Sequence, residues 1–224
     1  MSSKPKVYGI WGSPPFGAVT MCAKVLGVEL DVEIVNLLNM EQLNKEYIQK
    51  CPQHTVPLLD DNGFFLPDSH AINGYLVNKY GKENDPLYPK NDIKRRALID
   101  HRLHMDSGIV AAKGFSITRT IGFKNVKPPQ EAFDDLKEAF ALLNKQIEVQ
   151  NTKYMVGDIL SIADFSIYAT VSNWGFFLKN WENEFPHIKA YMERMKQEDW
   201  PEVNDKGVNA FKALFEVRLK ELGI

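Results

Sequence analysis

The chain of 224 residues is poor in cysteine. Only Cys22 and Cys51 occur, too few for a disulfide framework and in neither C-x-x-C nor Cys/His metal spacing, so no metal is expected. It also lacks an excess of charge: 27 Lys+Arg against 29 Asp+Glu give a net charge of −2. Without a Lys/Arg stripe to neutralise phosphates, nucleic acid and anionic membrane surfaces are not expected partners. No apolar run approaches the roughly 18 residues of a membrane span, and the first residues, Met1 to Val7, lack the apolar core of a signal peptide. A soluble, cytoplasmic chain with reduced thiols is the expectation. What is present is an ordinary globular composition, 44% hydrophobic and 25% charged, long enough for one large domain or two small ones.

The two parts of the chain differ in rhythm. Val7-Tyr8-Gly9-Ile10-Trp11 reads as a strand, residues 14–26 as a helix with Ala18, Cys22, Val25 and Leu26 on one face, and Val32-Glu33-Ile34-Val35 as a second strand. Residues 40–49 read as helical. Val56-Pro57-Leu58-Leu59 and Phe64-Phe65-Leu66 flank Asp60-Asp61-Asn62-Gly63, and Asn-Gly between apolar runs signals a hairpin. A helix over residues 69–80 closes this part, with Gly81 at its left-handed C′ position. The order βαβαββα resembles a thioredoxin-like α/β domain over residues 1–82. Residues 83–92, polar and containing Pro86 and Pro89, read as a linker. Residues 93–224 show no strand alternation and form an all-α domain, with helices expected over 93–122, 130–150, 161–174, 186–197 and 209–222.

Three short constellations carry chemistry. After the first strand comes Gly12-Ser13-Pro14-Pro15-Phe16. A redox enzyme of this fold would keep its sulfur here; this chain offers the Ser13 hydroxyl, able to donate to a thiolate brought by another molecule. Alternatively Ser13 caps the helix, with Pro14 at N1. In Pro52-Gln53-His54-Thr55-Val56-Pro57, a cis bond before Pro57 would present the Val56 backbone to a peptide-like ligand, and His54 could hold a carboxylate or simply be solvated. In Pro67-Asp68-Ser69-His70, Ser69 can cap a helix whose free N–H groups seat a carboxylate, and Asp68 suits an ammonium. A capped helix with a solvent-facing Asp68 is the plainer alternative.

These residues, in this order, resemble a cytosolic glutathione transferase of the insect delta/epsilon classes. The resemblance runs along the whole chain: Ser13-Pro14-Pro15, the 52–57 segment, Asp68-Ser69-His70-Ala71-Ile72, Leu87-Tyr88-Pro89, and Gly157-Asp158-Ile159-Leu160-Ser161-Ile162-Ala163-Asp164-Phe165, similar to the family's internal capping motif. Ser161 and Asp164 there form a capping box, with Leu160 and Phe165 as a hydrophobic staple, so Asp164 is assigned to folding. The resemblance implies glutathione as cosubstrate, activated by Ser13 for attack on a hydrophobic electrophile. Gln42, His54, Thr55, Val56, Pro57, Asp68, Ser69 and His70 would bind it: Val56 the cysteinyl backbone, Asp68 and Ser69 the γ-glutamyl head, His54 the glycine carboxylate. A homodimer with a detoxifying role is implied too.

Gly17 and Phe115 stand where the family often has basic residues, Gln42 where it often has His, and Cys51 where it often has Asn. The electrophile pocket is expected among Ile10, Trp11, Met105, Ala111, Gly114, Phe115, Thr118, Phe211 and Phe215. A weakly catalytic binder of apolar ligands such as steroids, and glutathione-dependent peroxidase or isomerase chemistry, are the competing readings.

Overall fold

A computed structural model describes residues 4–223. Residues 1–3 of the expected leader-free N-terminus and Ile224 at the end of the helical part lie outside the described residues. The first part runs β1 (Lys6–Gly9), α1 (Pro14–Leu26), β2 (Asp31–Ile34), a 3-10 turn (Glu41–Leu43), α2 (Lys45–Lys50), β3 (Leu58–Asp61), β4 (Phe64–Pro67) and α3 (Ser69–Tyr80). The sheet order is β2-β1-β3-β4, with β1 and β2 parallel and the other pairs antiparallel. Val7 pairs with Val32 on one side and Leu59 on the other.

Alternation along β1 sends successive side chains to opposite faces. Val7 joins Phe16, Val19, Leu59, Ile72 and Leu76 under α1 and α3, whereas Tyr8 joins Tyr47, Cys51 and Leu58 beside α2. α1 is apolar nearly all round because it serves two cores. Its Phe16 and Val19 face the sheet, while Ala18, Met21 and Cys22 belong to the core of the helical part. Fully burying Phe16 or Met21 contributes about 1.5–3 kcal/mol each.

The helical part comprises α4 (Ile93–Met105), a π-helical turn (Asp106–Val110), α5 (Ala111–Gly122), α6 (Gln130–Gln150), α7 (Ile162–Trp174), a 3-10 turn (Gly175–Phe177), α8 (Trp181–Glu184), α9 (Pro186–Met195) and α10 (Glu202–Glu221). α7 is the central rod, buried along almost its whole length. At its start Asp164 accepts hydrogen bonds from the N–H and Oγ of Ser161 (2.9 Å each), Met155 N–H (2.8 Å) and Tyr191 Oη (3.1 Å). Burial pushes its carboxyl up to about 6, against the pull of those donors.

The expected single helix over 93–122 is interrupted by the π turn. The last helix starts at Glu202, not residue 209; Pro201 and the acidic first turn, Glu202 and Asp205, are the start signals that mark it. Gly81 follows α3 as expected but in an extended conformation, not the left-handed one. The segment 83–92 is firmly tied: Asp85 accepts from the N–H groups of Lys82 and Leu87, and Leu87 C=O accepts from Ile162 N–H.

Close approach dictates several glycines, and two of them lie where helices pack. A Cβ on Gly17 would lie 2.1 Å from Oδ1 of the buried Asn204 of α10, and one on Gly114 would lie 2.2 Å from the Trp174 ring.

Candidate functional site

The N-terminus of α1 is built around two prolines. Pro14 and Pro15 at N1 and N2 supply no N–H, Ser13 N–H is held by Ile10 C=O at 3.1 Å, and Ser13 Oγ makes no capping bond. Among the described residues the Ser13 hydroxyl has no hydrogen-bond partner at all. The capping role is therefore not the one it plays, and in the first turn only Phe16 N–H is left to face an anion. Gly12, at φ +98°, makes the turn that delivers Ser13.

Ser13, Pro14 and Pro15 open onto a cavity of about 730 Å³ between the α/β part and the α4–α5 and α7 helices, within the range of small-molecule sites. Its α/β wall is formed by Gln42, Gln53, His54, Thr55, Val56, Pro57, Asp68, Ser69 and His70. The Val56–Pro57 bond is cis, and Val56 lies just before β3, outside the ladder. Three non-glycine residues of the cavity wall, Met40, His54 and Asp68, hold positive φ of 60°, 45° and 78°, a conformation uncommon for residues with a side chain.

At α3 the roles differ from those expected. Asp68, not Ser69, is the N-cap: its Oδ1 accepts from His70 N–H (2.9 Å) and Ala71 N–H (3.1 Å). Ser69 is the first helical residue, buried, with no hydrogen bond from its hydroxyl among the described residues. Two of the N–H groups expected to seat a carboxylate are thus used, leaving Ser69 N–H and Oγ for a ligand and Asp68 Oδ2 for a cation.

His70 bridges the two parts of the molecule. Its Nε2 lies 3.3 Å from Oδ2 of Asp106, the first residue of the π turn. Burial lowers the imidazole pKa, but the Asp106 carboxylate outweighs it and the net shift is upward. A π turn widens the helix by one residue and is often found at functional sites; here it carries Asp106 to the cavity wall.

Four buried polar atoms on the cavity wall have no hydrogen-bond partner: Gln42 Oε1, Asp106 Oδ1, Ser166 Oγ and Trp174 Nε1. The helical wall continues along one face: Ser107, Ala111, Phe115, Arg119 and Phe123, spaced four apart, with Lys124 beside them and Trp174 and Thr170 behind. Phe115 meets Trp174 edge-on, ring centroids 4.8 Å apart.

A model of the glutathione S-transferase N-terminal domain matches residues 3–78 and one of the C-terminal domain matches residues 124–200. Glutathione S-transferase D7 of Drosophila melanogaster is 39% identical over 191 residues, 84% of this chain and 82% of that protein. The chain belongs to the glutathione S-transferase family. Among solved structures, a glutathione transferase homologue of Drosophila mojavensis with bound glutathione has a TM-score of 0.90 at 39% identity, covering 97% of this chain and 98% of the other. An epsilon-class glutathione S-transferase of the housefly Musca domestica has a TM-score of 0.89 at 37% identity, with coverages of 96% and 98%. The thioredoxin-like and helical organisation, the kinship with the insect delta and epsilon classes, and the assignment as a transferase all follow.

In this transferase the expected glutathione-binding set lies together on one cavity wall, but the expected electrophile set is divided. Ala111 and Phe115 line the cavity; Ile10, Trp11, Met105, Gly114, Thr118, Phe211 and Phe215 do not. The helix face toward the cavity steps by four, 111 to 115 to 119, whereas Gly114 and Thr118 lie on the neighbouring row. Gly114 is pressed against Trp174, and Thr118 Oγ1 donates to Phe115 C=O. Phe211 and Phe215 are buried in an aromatic cluster with Phe176 and Phe177. Met105 turns to a smaller hollow with His101, His104 and Leu142. Trp11 meets Phe16 edge-on with Lys206 over its ring, and Ile10 serves the turn through its carbonyl.

Sequence reasoning missed Leu37, Met40 and Leu43, which form an apolar rim opposite the helices, and Asp106, Arg119, Phe123, Ser166 and Trp174. The four-residue row was available as a signal; the π turn that aligns Asp106 was not. Neither cysteine lines the cavity: both are buried, and burial pushes the Cys22 thiol far up.

Proposed function

We propose that the cavity binds glutathione with its sulfur at Ser13 Oγ, and that the enzyme transfers this thiol to a hydrophobic electrophile held against Phe115, Phe123 and Trp174. The observation that carries the reading is the Ser13 hydroxyl, free of any partner at the mouth of a helix. A hydroxyl donating to sulfur stabilises the thiolate over the thiol, which lowers its pKa and keeps the nucleophile populated near neutral pH. With only Phe16 N–H remaining in the first turn, the hydroxyl is the main donor available.

The remaining groups match the tripeptide. Val56 would pair through its backbone with the cysteinyl unit, the geometry of strand addition. Asp68 Oδ2, with Asp106 Oδ1 behind it, suits the γ-glutamyl ammonium, and Ser69 the neighbouring carboxylate. His54, Thr55 and Gln42 lie where the glycine end would fall. Kinship with a homologue solved with bound glutathione supports the same cosubstrate here. We assign the glutathione wall to residues 1–82 and the electrophile wall to residues 93–224, in a cytosolic homodimer as the family relation supports. Ser13→Ala is the test: the bound thiol should titrate at higher pH, read by ultraviolet difference absorbance, while glutathione still binds by calorimetry. An unchanged thiol titration in the variant would refute the role of Ser13.

A further inference from the structure

The cavity has two ends of opposite sign. Its acidic side chains, Asp68 and Asp106, stand together at the His70 bridge. Its basic ones, Arg119 and Lys124, lie at the far end of the same helix row, where 13 residues at about 1.5 Å rise place Arg119 roughly 20 Å from Asp106 along the axis. Between them the row is apolar, Ala111 and Phe115, with Phe123 beyond and the exposed rims Met40 and Leu43 across the opening. Both cations are exposed, and among the described residues neither side chain is in an ion pair or hydrogen bond. Elsewhere Lys79 pairs with Asp61, Lys113 with Asp135 and Lys153 with Glu198. An apolar slot ending in two unmatched cations is complementary to an amphipathic anion.

We propose that this helical end selects electrophiles carrying an anionic group, such as a carboxylate or sulfonate, on an apolar aromatic body, with Arg119 and Lys124 as specificity-determining residues. The inference rests on the transferase reading of the cavity and names its substrate class. The body of the electrophile packs on Phe115 and Phe123, its reacting carbon faces the Ser13-bound sulfur, and its anionic group reaches the two cations. In the transfer to a chloroarene the thiolate forms a C–S bond at the carbon bearing chlorine, chloride leaves with the electron pair of the C–Cl bond, and the thiol proton goes to solvent. Arg119 also sits in the last turn of α5, where a cation is favourable for the helix end. That structural role does not distinguish charged from neutral substrates.

The test is a matched pair, 4-chloro-3,5-dinitrobenzoate and its methyl ester, turned over with glutathione by the wild type and by Arg119→Gln, Lys124→Gln and the double variant. The readout is the ratio of kcat/KM for acid over ester, in which the intrinsic reactivity of each compound cancels between proteins. The double variant should lower the ratio about fivefold to tenfold, as expected for two solvent-exposed charge contacts. In the wild type, raising the salt should lower the acid rate more than the ester rate. A ratio unchanged in the double variant overturns the proposal. So does an equal fall for both compounds with a raised KM for glutathione, which would assign the cations to the tripeptide instead. Ser13→Ala supplies the separate check on the parent reading: it should depress both compounds and leave the ratio unchanged, and a wild type that turns over neither compound defeats the parent reading along with this one.

Discussion

Two serines occupy the same position in two helices and are used in opposite ways. Ser161, at the start of α7, is wholly buried, and both its N–H and its hydroxyl are taken by Asp164. Ser13, at the start of α1, is followed by two prolines, and its hydroxyl is left without a partner. The lesson is that an N-cap residue is available for chemistry when one of the donors it would cap is removed. Proline at N1 and N2 does this while keeping the helix, because its fixed φ suits the first turn.

The comparison can be broken most severely at the closed end. Asp164→Ala leaves three buried donors, Ser161 N–H and Oγ and Met155 N–H, without an acceptor and opens a cavity, and should cost about 3–5 kcal/mol, measured as a loss of urea midpoint. Because burial raises the Asp164 carboxyl to about 6, its contribution is fully present below the unfolded value near 3.8 and is lost as pH rises through about 6. The isosteric Asp164→Asn variant should therefore show a flatter stability–pH curve between about 4 and 6, by thermal melts.

At the open end Ser13→Ala should lower conjugation of a chloronitrobenzene by about 10–100-fold while shifting stability by less than about 0.5 kcal/mol. A stability loss near the 1 kcal/mol of an ordinary cap would place Ser13 with Ser161 after all. Pro15→Ala makes the comparison sharper, since it returns the N2 donor that Ser13 Oγ can cap. The expected outcome is a severalfold fall in turnover with little change in glutathione affinity, read from steady-state kinetics and calorimetry. The smallest effect concerns His70. Its raised imidazole pKa means that the His70–Asp106 bridge is at full strength below about 6.5 and fades as pH rises through the folded value. His70→Asn should remove that slope, changing stability by about 1 kcal/mol or less.

Much of the α/β part was legible because its signals are local: the Asn62-Gly63 hairpin, Pro14 at N1, the apolar alternation of β1. The α/β wall of the cavity was legible for the same reason, as short runs of neighbouring residues. The helical wall was not, because it depends on which row of one long helix faces inward. A one-residue π expansion at residues 106–110 leaves no composition mark, and a row at 111, 114 and 118 is as good a helix face as one at 111, 115 and 119. Aromatic residues at helical spacing, Phe211 and Phe215, made an inviting pocket and proved to be core. The reversal at Asp68 and Ser69 has a plainer cause: both are good N-caps, and only the backbone turn at φ 78° decides between them.

The contact between Gly17 and Asn204 bears on how this chain can change. A Cβ at 17 meets the buried side-chain amide of Asn204, so an arginine installed there must displace that amide. Position 204 must shrink first, and shrinking it alone leaves a hole beside α1. The two positions are thus coupled by direct contact across the divide between the two parts. A path that returns positive charge to the first helix therefore begins at the far end of the sequence.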